Sequence, residues 1–119
     1  MILVVDDLPL SRYPLVRHLE QAGYDVREAA TGSEGLRLAR MGAEAVILDV
    51  KLVDMTGFDV CQKLSADSVT AKIPIIMYSA HYLSDTDRQH ALDLGAAEYL
   101  ARKPDPDELL QVLRRLVSN

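Results

Sequence analysis

The sequence contains a single cysteine, Cys61, and it lacks long apolar runs. One cysteine excludes an internal disulfide and favours a reducing compartment. No apolar run approaches the roughly 20 residues of a membrane span. Asp6 and Asp7 end the N-terminal apolar run too early for a secretory signal. These absences favour a cytoplasmic protein whose chain makes no membrane contact.

The sequence also lacks an excess of basic residues. Its formal net charge is −5, which gives no support to direct binding of nucleic acid by this chain. No repeat, linker or low-complexity segment interrupts the 119 residues, and the hydrophobic share of 49% is ordinary for a globular protein. We therefore expect one domain that spans residues 1–119.

Two apolar runs of this chain end on acidic residues. Residues 45–48 are followed by Asp49, and residues 2–5 are followed by Asp6 and Asp7. Continuous apolar runs of this length are typical of buried strands in a parallel sheet. Ligands of such sheets bind outside the carboxyl ends of the strands. The pattern therefore predicts an acidic site at one edge of a sheet.

Three further strands are predicted over residues 24–30, 75–78 and 97–101, and a helical pattern follows each of the five strands. The alternation predicts an α/β fold, a doubly wound (βα)5 with a parallel five-stranded sheet. The predicted helix starts use N-cap residues and one glycine: Ser11, Thr31, Gly57, Ser84 and Asp105.

The predicted strand ends collect a set of polar side chains with a common chemistry. Clustered carboxylates repel one another and need a cation, and oxygen ligands with room for water suit Mg²⁺. A hydroxyl and a long cation beside them suit a phosphoryl group, for which a carboxylate can be the covalent acceptor. The members of the set are Asp6, Asp7, Asp49, Ser79, Arg102 and Lys103.

These segments resemble a response-regulator receiver domain of two-component signalling, and the resemblance extends over essentially the whole chain. It implies a flavodoxin-like fold with strand order 2-1-3-4-5. The matching segments are Val4-Val5-Asp6-Asp7, Leu48-Asp49, Gly57, Ser79-Ala80, and Gly95-Ala96 through Asp105-Pro106-Asp107-Glu108-Leu109.

The resemblance also implies the site and its chemistry. Asp49 would accept a phosphoryl group from a histidine kinase or a histidine phosphotransfer domain. Asp7, Asp49 and the backbone carbonyl of Lys51 would bind Mg²⁺ directly, and Asp6 would act mainly through water. The implied phosphate and switch residues are Ser79, the small Ala80, the aromatic Tyr99, and Arg102 or Lys103.

The sequence departs from the receiver pattern at two places. Val53 stands where many receivers have proline, which should alter the loop and leave the chemistry intact. At the fifth strand, ungapped counting from Tyr99 puts Arg102 in the position of the family's lysine, which spacing slightly favours. A bulge would instead bring the Lys103-Pro104 pair into place, with a cis bond in that register. Both registers remain open at the level of sequence.

The resemblance predicts a phosphoacceptor switch with limited autophosphatase activity rather than an enzyme in the ordinary sense. Two other functions compete with this one: a receiver-like interaction module that no longer responds to phosphorylation, and a hydrolase of the haloacid-dehalogenase type. The hydrolase needs a second aspartate two residues after the first, where this chain has Lys51.

The expected partners include an output domain or a second copy of the chain. The chain opens directly on its first predicted strand, which makes a fragment, such as the receiver of a hybrid sensor histidine kinase, as plausible as a stand-alone receiver. The three histidines, His18, His81 and His90, have no metal-ligand spacing and are expected on the surface.

Overall fold

A computed structural model describes residues 1–81 and 84–117. Its strands are β1 (Ile2–Val5), β2 (Val26–Ala29), β3 (Ala45–Leu48), β4 (Ile75–Ser79) and β5 (Glu98–Ala101). Its helices are α1 (Pro9–Gln21), α2 (Gly32–Ala39), α3 (Gly57–Ala66), α4 (Asp85–Asp93) and α5 (Asp107–Leu116).

The five strands form one parallel sheet in the order β2-β1-β3-β4-β5, so the predicted flavodoxin-like topology is confirmed. The sheet is buried on both faces because alternate residues of each strand meet different helices. Leu3, Val46 and Met77 pack on the face that contacts α2 and α3, and Val4 and Ile76 pack on the face covered by α1 and α5. The continuous apolar runs in the sequence follow from this double burial.

Helix α1 begins earlier than predicted. Pro9 is its first residue and Leu8 occupies the N-cap position, so Ser11 lies inside the helix and is not its cap. A proline at the first helical position has the right φ and loses no intrahelical bond, which explains the earlier start. The Ser11 hydroxyl instead makes a contact outside the helix, described below.

Two other helix ends were predicted differently. Helix α5 begins at Asp107 with Pro106 in the N-cap position, although Asp105 was expected to cap it; the Asp105 carboxylate still accepts the amide of Asp107 at 3.1 Å. Helix α3 runs to Ala66, although the sequence predicts a loop over residues 65–72. The caps at Thr31 and Ser84 are as predicted.

All three histidines are exposed, as predicted. Among the described helices, none is both long enough and apolar enough to span a membrane.

Candidate functional site

Asp6, Asp7 and Asp49 come together at the carboxyl edge of the sheet. Each offers one oxygen to a cluster in which these oxygens lie within 4.8 Å of one another. The cluster forms because β1 and β3 are paired neighbours whose last residues, Val5 and Leu48, lie side by side. Asp6 is completely buried, whereas Asp7 and Asp49 are half-buried and reachable from solvent.

The buried Asp6 carboxylate is bound by three groups of the protein itself. Its Oδ1 accepts the amide of Leu8 at 3.0 Å, and its Oδ2 accepts the hydroxyl of Ser11 at 2.5 Å. The guanidinium of Arg102 lies 3.2 Å from Oδ2. These bonds compensate the loss of water around a buried charge, and they leave Asp7 and Asp49 as the more accessible carboxylates of the cluster.

Arg12 holds the backbone at Asp6. Its side chain is buried and donates to the backbone carbonyl of Asp6 at 2.6 Å and to Glu28 of β2 at 2.9 Å. Sequence reasoning missed this residue. The signal was present, because Arg12 falls three residues before Leu15 and so lies on the apolar stripe of α1.

The register of β4 and β5 is unbroken up to the pair Ser79 and Ala101, and the amide of Arg102 donates to the carbonyl of Ser79 at 2.9 Å. No bulge therefore moves Lys103 inward. The Arg102 guanidinium also donates to the carbonyl of Ser11 at 3.0 Å and stacks 4.9 Å from the ring centroid of Tyr78.

The Lys103 side chain is exposed, and its backbone amide and carbonyl meet the Tyr78 hydroxyl at 3.4 Å each. Across the described residues no peptide bond is cis, so the Lys103–Pro104 bond is trans.

Ser79, Ala80 and Tyr99 lie at or beside the same sheet edge. Ser79 is buried at the end of β4, and its hydroxyl accepts the amide of His81 at 3.2 Å. Ala80 is exposed and borders the site. Tyr99 is buried, and burial together with the carboxylates of Asp87 and Asp49 raises its pKa to about 12.

A cavity of about 300 Å³ opens above Asp49. Residues from each predicted strand end except that of β2 line it: Asp7, Leu8, Ser11, Asp49, Lys51, Ser79, Ala80, His81 and Arg102. Gly57 lies against the backbone that follows Asp49, and its amide donates to the carbonyl of Val50 at 2.6 Å. A Cβ on Gly57 would collide with the carbonyl oxygen of Asp49, so glycine is required by space there.

The pKa of Asp49 is raised above its ordinary value. Burial is the largest cause, and the negative charge of Asp6 and, to a lesser extent, that of Asp7 act in the same direction. Arg102 and the amide of Val50, which donates to Asp49 Oδ1 at 2.8 Å, oppose the rise. A divalent cation in the cluster would remove the repulsion, and three carboxylates beside open space are the oxygen ligands that Mg²⁺ prefers.

The sequence pattern of the response regulator receiver domain matches residues 2–114. This chain belongs to the response-regulator receiver family. It is 38% identical over 117 residues to the DNA-binding dual master transcriptional regulator RpaA of Synechocystis, covering 98% of this chain and 48% of RpaA. Protein PilH of Pseudomonas aeruginosa is 31% identical over 118 residues, which cover 98% of this chain and 97% of PilH.

The receiver fold is also found in solved structures. The receiver domain of the sensor histidine kinase PA1611 from P. aeruginosa, solved with a magnesium ion in its active site cleft, superposes with a TM-score of 0.88 at 28% identity; the match covers 99% of this chain and 97% of that one. This chain spans about half the length of RpaA and of several other transcriptional regulators. As a receiver it is a phosphoacceptor domain of two-component systems, and membership of this family displaces the hydrolase alternative.

Proposed function

We propose that Asp49 accepts a phosphoryl group from a phosphohistidine of a histidine kinase or histidine phosphotransfer domain, with Mg²⁺ bound at the acidic cluster. The observation that carries the proposal is that Asp7, Asp49 and Arg102 line one open cavity, with the buried Asp6 beside them. The same proposal treats residues 1–119 as a single receiver domain that works in the cytoplasm.

In the proposed reaction, an oxygen of Asp49 forms a bond to phosphorus while the phosphorus–nitrogen bond of the donor histidine breaks. The electron pair of the broken bond stays on the donor imidazole, and the product on this chain is an acyl phosphate. Asp7, Asp49 and the Lys51 carbonyl would hold Mg²⁺, which would supply positive charge for the phosphoryl oxygens. Asp6, already bound by protein groups, contributes its charge through water.

Two further residues would hold the transferred group. Arg102 supplies the positive partner of a phosphoryl oxygen, and the hydroxyl of Ser79 donates to another. Ala80 leaves space for the donor to reach Asp49. In the proposed switch, Ser79 moves toward the phosphoryl group and Tyr99 follows it, which changes the surface offered to an output domain or to a second copy of the chain. Hydrolysis of the acyl phosphate at this site would be the limited autophosphatase activity.

Mass spectrometry of the intact chain, after incubation with a small phosphodonor and Mg²⁺, tests the proposal. We expect the mass of one added phosphoryl group, located at Asp49, and no addition to Asp49→Asn. Phosphate on Ser79 or His81 would contradict the mechanism. If neither the small donor nor a phosphorylated histidine protein modified the folded wild type, the chain would be an interaction module that does not respond to phosphorylation.

A further inference from the structure

The loop of residues 50–56 follows Asp49 directly and contains Lys51, whose carbonyl is a proposed metal ligand. Many receivers restrain this loop with a proline, and this chain has Val53 in that place. The base of the loop is closed by an isolated bridge between Lys51 and Thr56 and by the bond from Gly57 to Val50. These contacts do not restrain the tip, which is exposed at Val53 and Asp54.

The tip of this loop is held by Asp54, whose carboxylate binds the first amides of α2. Asp54 Oδ1 accepts the amide of Gly32 at 2.8 Å, and Oδ2 accepts the amide of Ser33 at 3.0 Å and its hydroxyl at 2.9 Å. The first amides of a helix have no partner within the helix, and the positive end of its dipole favours a carboxylate. These bonds, those of Ser33 and Gly32 above all, lower the pKa of Asp54.

A second contact lies beside the first. The side chain of Met55 packs directly over the backbone of Gly32, so closely that a Cβ on Gly32 would come within 2.5 Å of Met55 Cγ. Two adjacent loop residues, Asp54 and Met55, therefore contact the start of α2, which lies more than 20 residues earlier in the sequence. Helix α2 in turn packs on β1, the strand that ends at Asp6.

We propose that Asp54 is a positioning residue for the metal site: by binding the start of α2 it fixes the loop that presents the Lys51 carbonyl, and it replaces the restraint that proline gives in other receivers. The inference rests on the proposed function. Without this clamp the loop has more conformations to lose when the metal binds, so metal affinity falls. The phosphoryl chemistry at saturating metal should be unchanged, because Asp54 does not line the cavity.

Calorimetric titration of Mg²⁺ into wild type, Asp54→Ala and Asp54→Asn tests the inference without any phosphoryl transfer. We expect affinity to fall on the order of tenfold in Asp54→Ala, the lower end of the effect of losing a group that orients a metal ligand. Asp54→Asn keeps one acceptor oxygen and should fall between wild type and alanine. With a small phosphodonor, the Mg²⁺ concentration for half-maximal rate should rise by a similar factor while the maximal rate changes less than twofold.

The double variant Val53→Pro/Asp54→Ala provides the rescue. Within the described chain the amide of Val53 donates no hydrogen bond, so proline removes none. Proline should restore most of the Mg²⁺ affinity, which a simple loss of stability would not predict. Asp67→Ala is the control, because the half-buried Asp67 also accepts a backbone amide, that of Val69, and binds Arg40, but among the described residues makes no hydrogen bond or ion pair with the loop of residues 50–56. It should bind Mg²⁺ as wild type does.

Unchanged Mg²⁺ affinity in Asp54→Ala would overturn the inference, and so would a loss that proline at position 53 leaves unrepaired. If Asp54→Ala failed to fold, Asp54→Asn would decide the matter in the same titration. Failure of the proposed function gives a different result, in which wild type binds Mg²⁺ and accepts no phosphoryl group.

Discussion

Asp49 carries its negative charge in an unfavourable place. It is partly buried and faces the carboxylates of Asp6 and Asp7, and only Arg102 and the amide of Val50 offset these effects. The raised pKa means that the native state holds the Asp49 proton more tightly than the unfolded chain does. The charge therefore destabilises the native state above the raised pKa, and this effect vanishes below the ordinary value of 3.8, where both states are protonated.

Asp49→Asn should consequently raise the melting temperature in EDTA at neutral pH by several degrees. The gain should shrink as the pH falls through the raised pKa and approach zero at about pH 3. Thermal unfolding followed by circular dichroism over this pH range measures it. Glu20→Gln, an exposed carboxylate on α1, is the control and should show little change. A gain that is equal at both ends of the range would contradict this account of Asp49.

Arg102 and Lys103 are adjacent cations with opposite environments. Arg102→Ala leaves the buried Asp6 without its charged partner, so it should lower the free energy of unfolding by about 2–4 kcal/mol and strongly impair phosphorylation. Lys103→Ala should change both by little, because its side chain is exposed. Chemical denaturation and the rate of phosphorylation by a small donor give the two readouts.

The variant Arg102→Lys distinguishes the effect of the positive charge from that of the several hydrogen-bond donors of the guanidinium. Lysine keeps the positive charge and loses the geometry that lets arginine bind Asp6 and the Ser11 carbonyl together. We expect it to retain part of the phosphorylation rate. If the alanine variants at 102 and 103 both accepted and held phosphate like wild type, neither cation would belong to the site.

The acidic residues of the site could be predicted from the sequence because each follows a buried run directly. The residues that orient them could not. Ser11 was predicted as a helix cap because a serine hydroxyl commonly bonds to nearby backbone amides. Its actual partner is the Asp6 carboxylate, and that contact depends on how the chain turns between the two residues. Asp54 looked like an ordinary loop acid, since its partners lie 21 and 22 residues away.

At the scale of the elements, local signals predicted strands better than helix starts. A strand buried on both faces shows as an apolar run, and the runs at residues 2–5, 45–48 and 75–78 all became strands, whereas β2 exposes Arg27 and Glu28. Helix starts have competing signals within two or three residues. Pro9 and Ser11 both mark a start for α1, and Asp105 and Pro106 both mark one for α5. The capping box of Thr56 and Asp59 before α3 was missed, although its spacing is readable in the sequence.

The first residue of α3, Gly57, packs directly against the backbone of Asp49. Gly57→Ala would press a methyl group against the backbone of Asp49 and Val50, which cannot move without displacing the acceptor. We expect a loss of about 2–3 kcal/mol in the free energy of unfolding, although alanine is the better helix former. Chemical denaturation measures the loss.

Gly32→Ala is the matched control for that variant. Gly32 is likewise the first residue of its helix, but the methyl group there meets the side chain of Met55 rather than a backbone. A flexible methionine can turn aside, so the loss should be smaller. Equal losses in the two variants would refute the assignment of the Gly57 effect to the acceptor backbone.

At the scale of the whole molecule, the strand order determines which residues meet. Because β1 lies between β2 and β3, the acids that follow β1 and β3 are neighbours although more than 40 residues separate them. A ligand that bridges them stabilises the entire fold, since the unfolded chain has no such cluster. Binding at the site is therefore measurable as global stability.

Mg²⁺ at one hundred times its dissociation constant should raise the free energy of unfolding of wild type by about 2.7 kcal/mol relative to EDTA. Asp7→Ala should lose most of this gain, because Asp7 is one of the two accessible carboxylates. Glu20→Gln removes an exposed carboxylate on α1, outside the cluster, and should keep the gain. A wild type and an Asp7→Ala variant that respond equally would remove Asp7 from the metal site.

The carboxylate cluster can also be viewed as a matter of electroneutrality. Three carboxylates and the guanidinium that binds one of them, Asp6, leave two formal negative charges, which is the charge that one divalent cation would balance. A monovalent ion would leave the cavity negative, and a trivalent ion would reverse its sign. Conversion of a carboxylate into an acyl phosphate adds about one further negative charge, so a domain balanced with its metal before the reaction is out of balance after it. That surplus negative charge lies next to Ser79 and Arg102. It is the physical change to which the rest of the fold must respond.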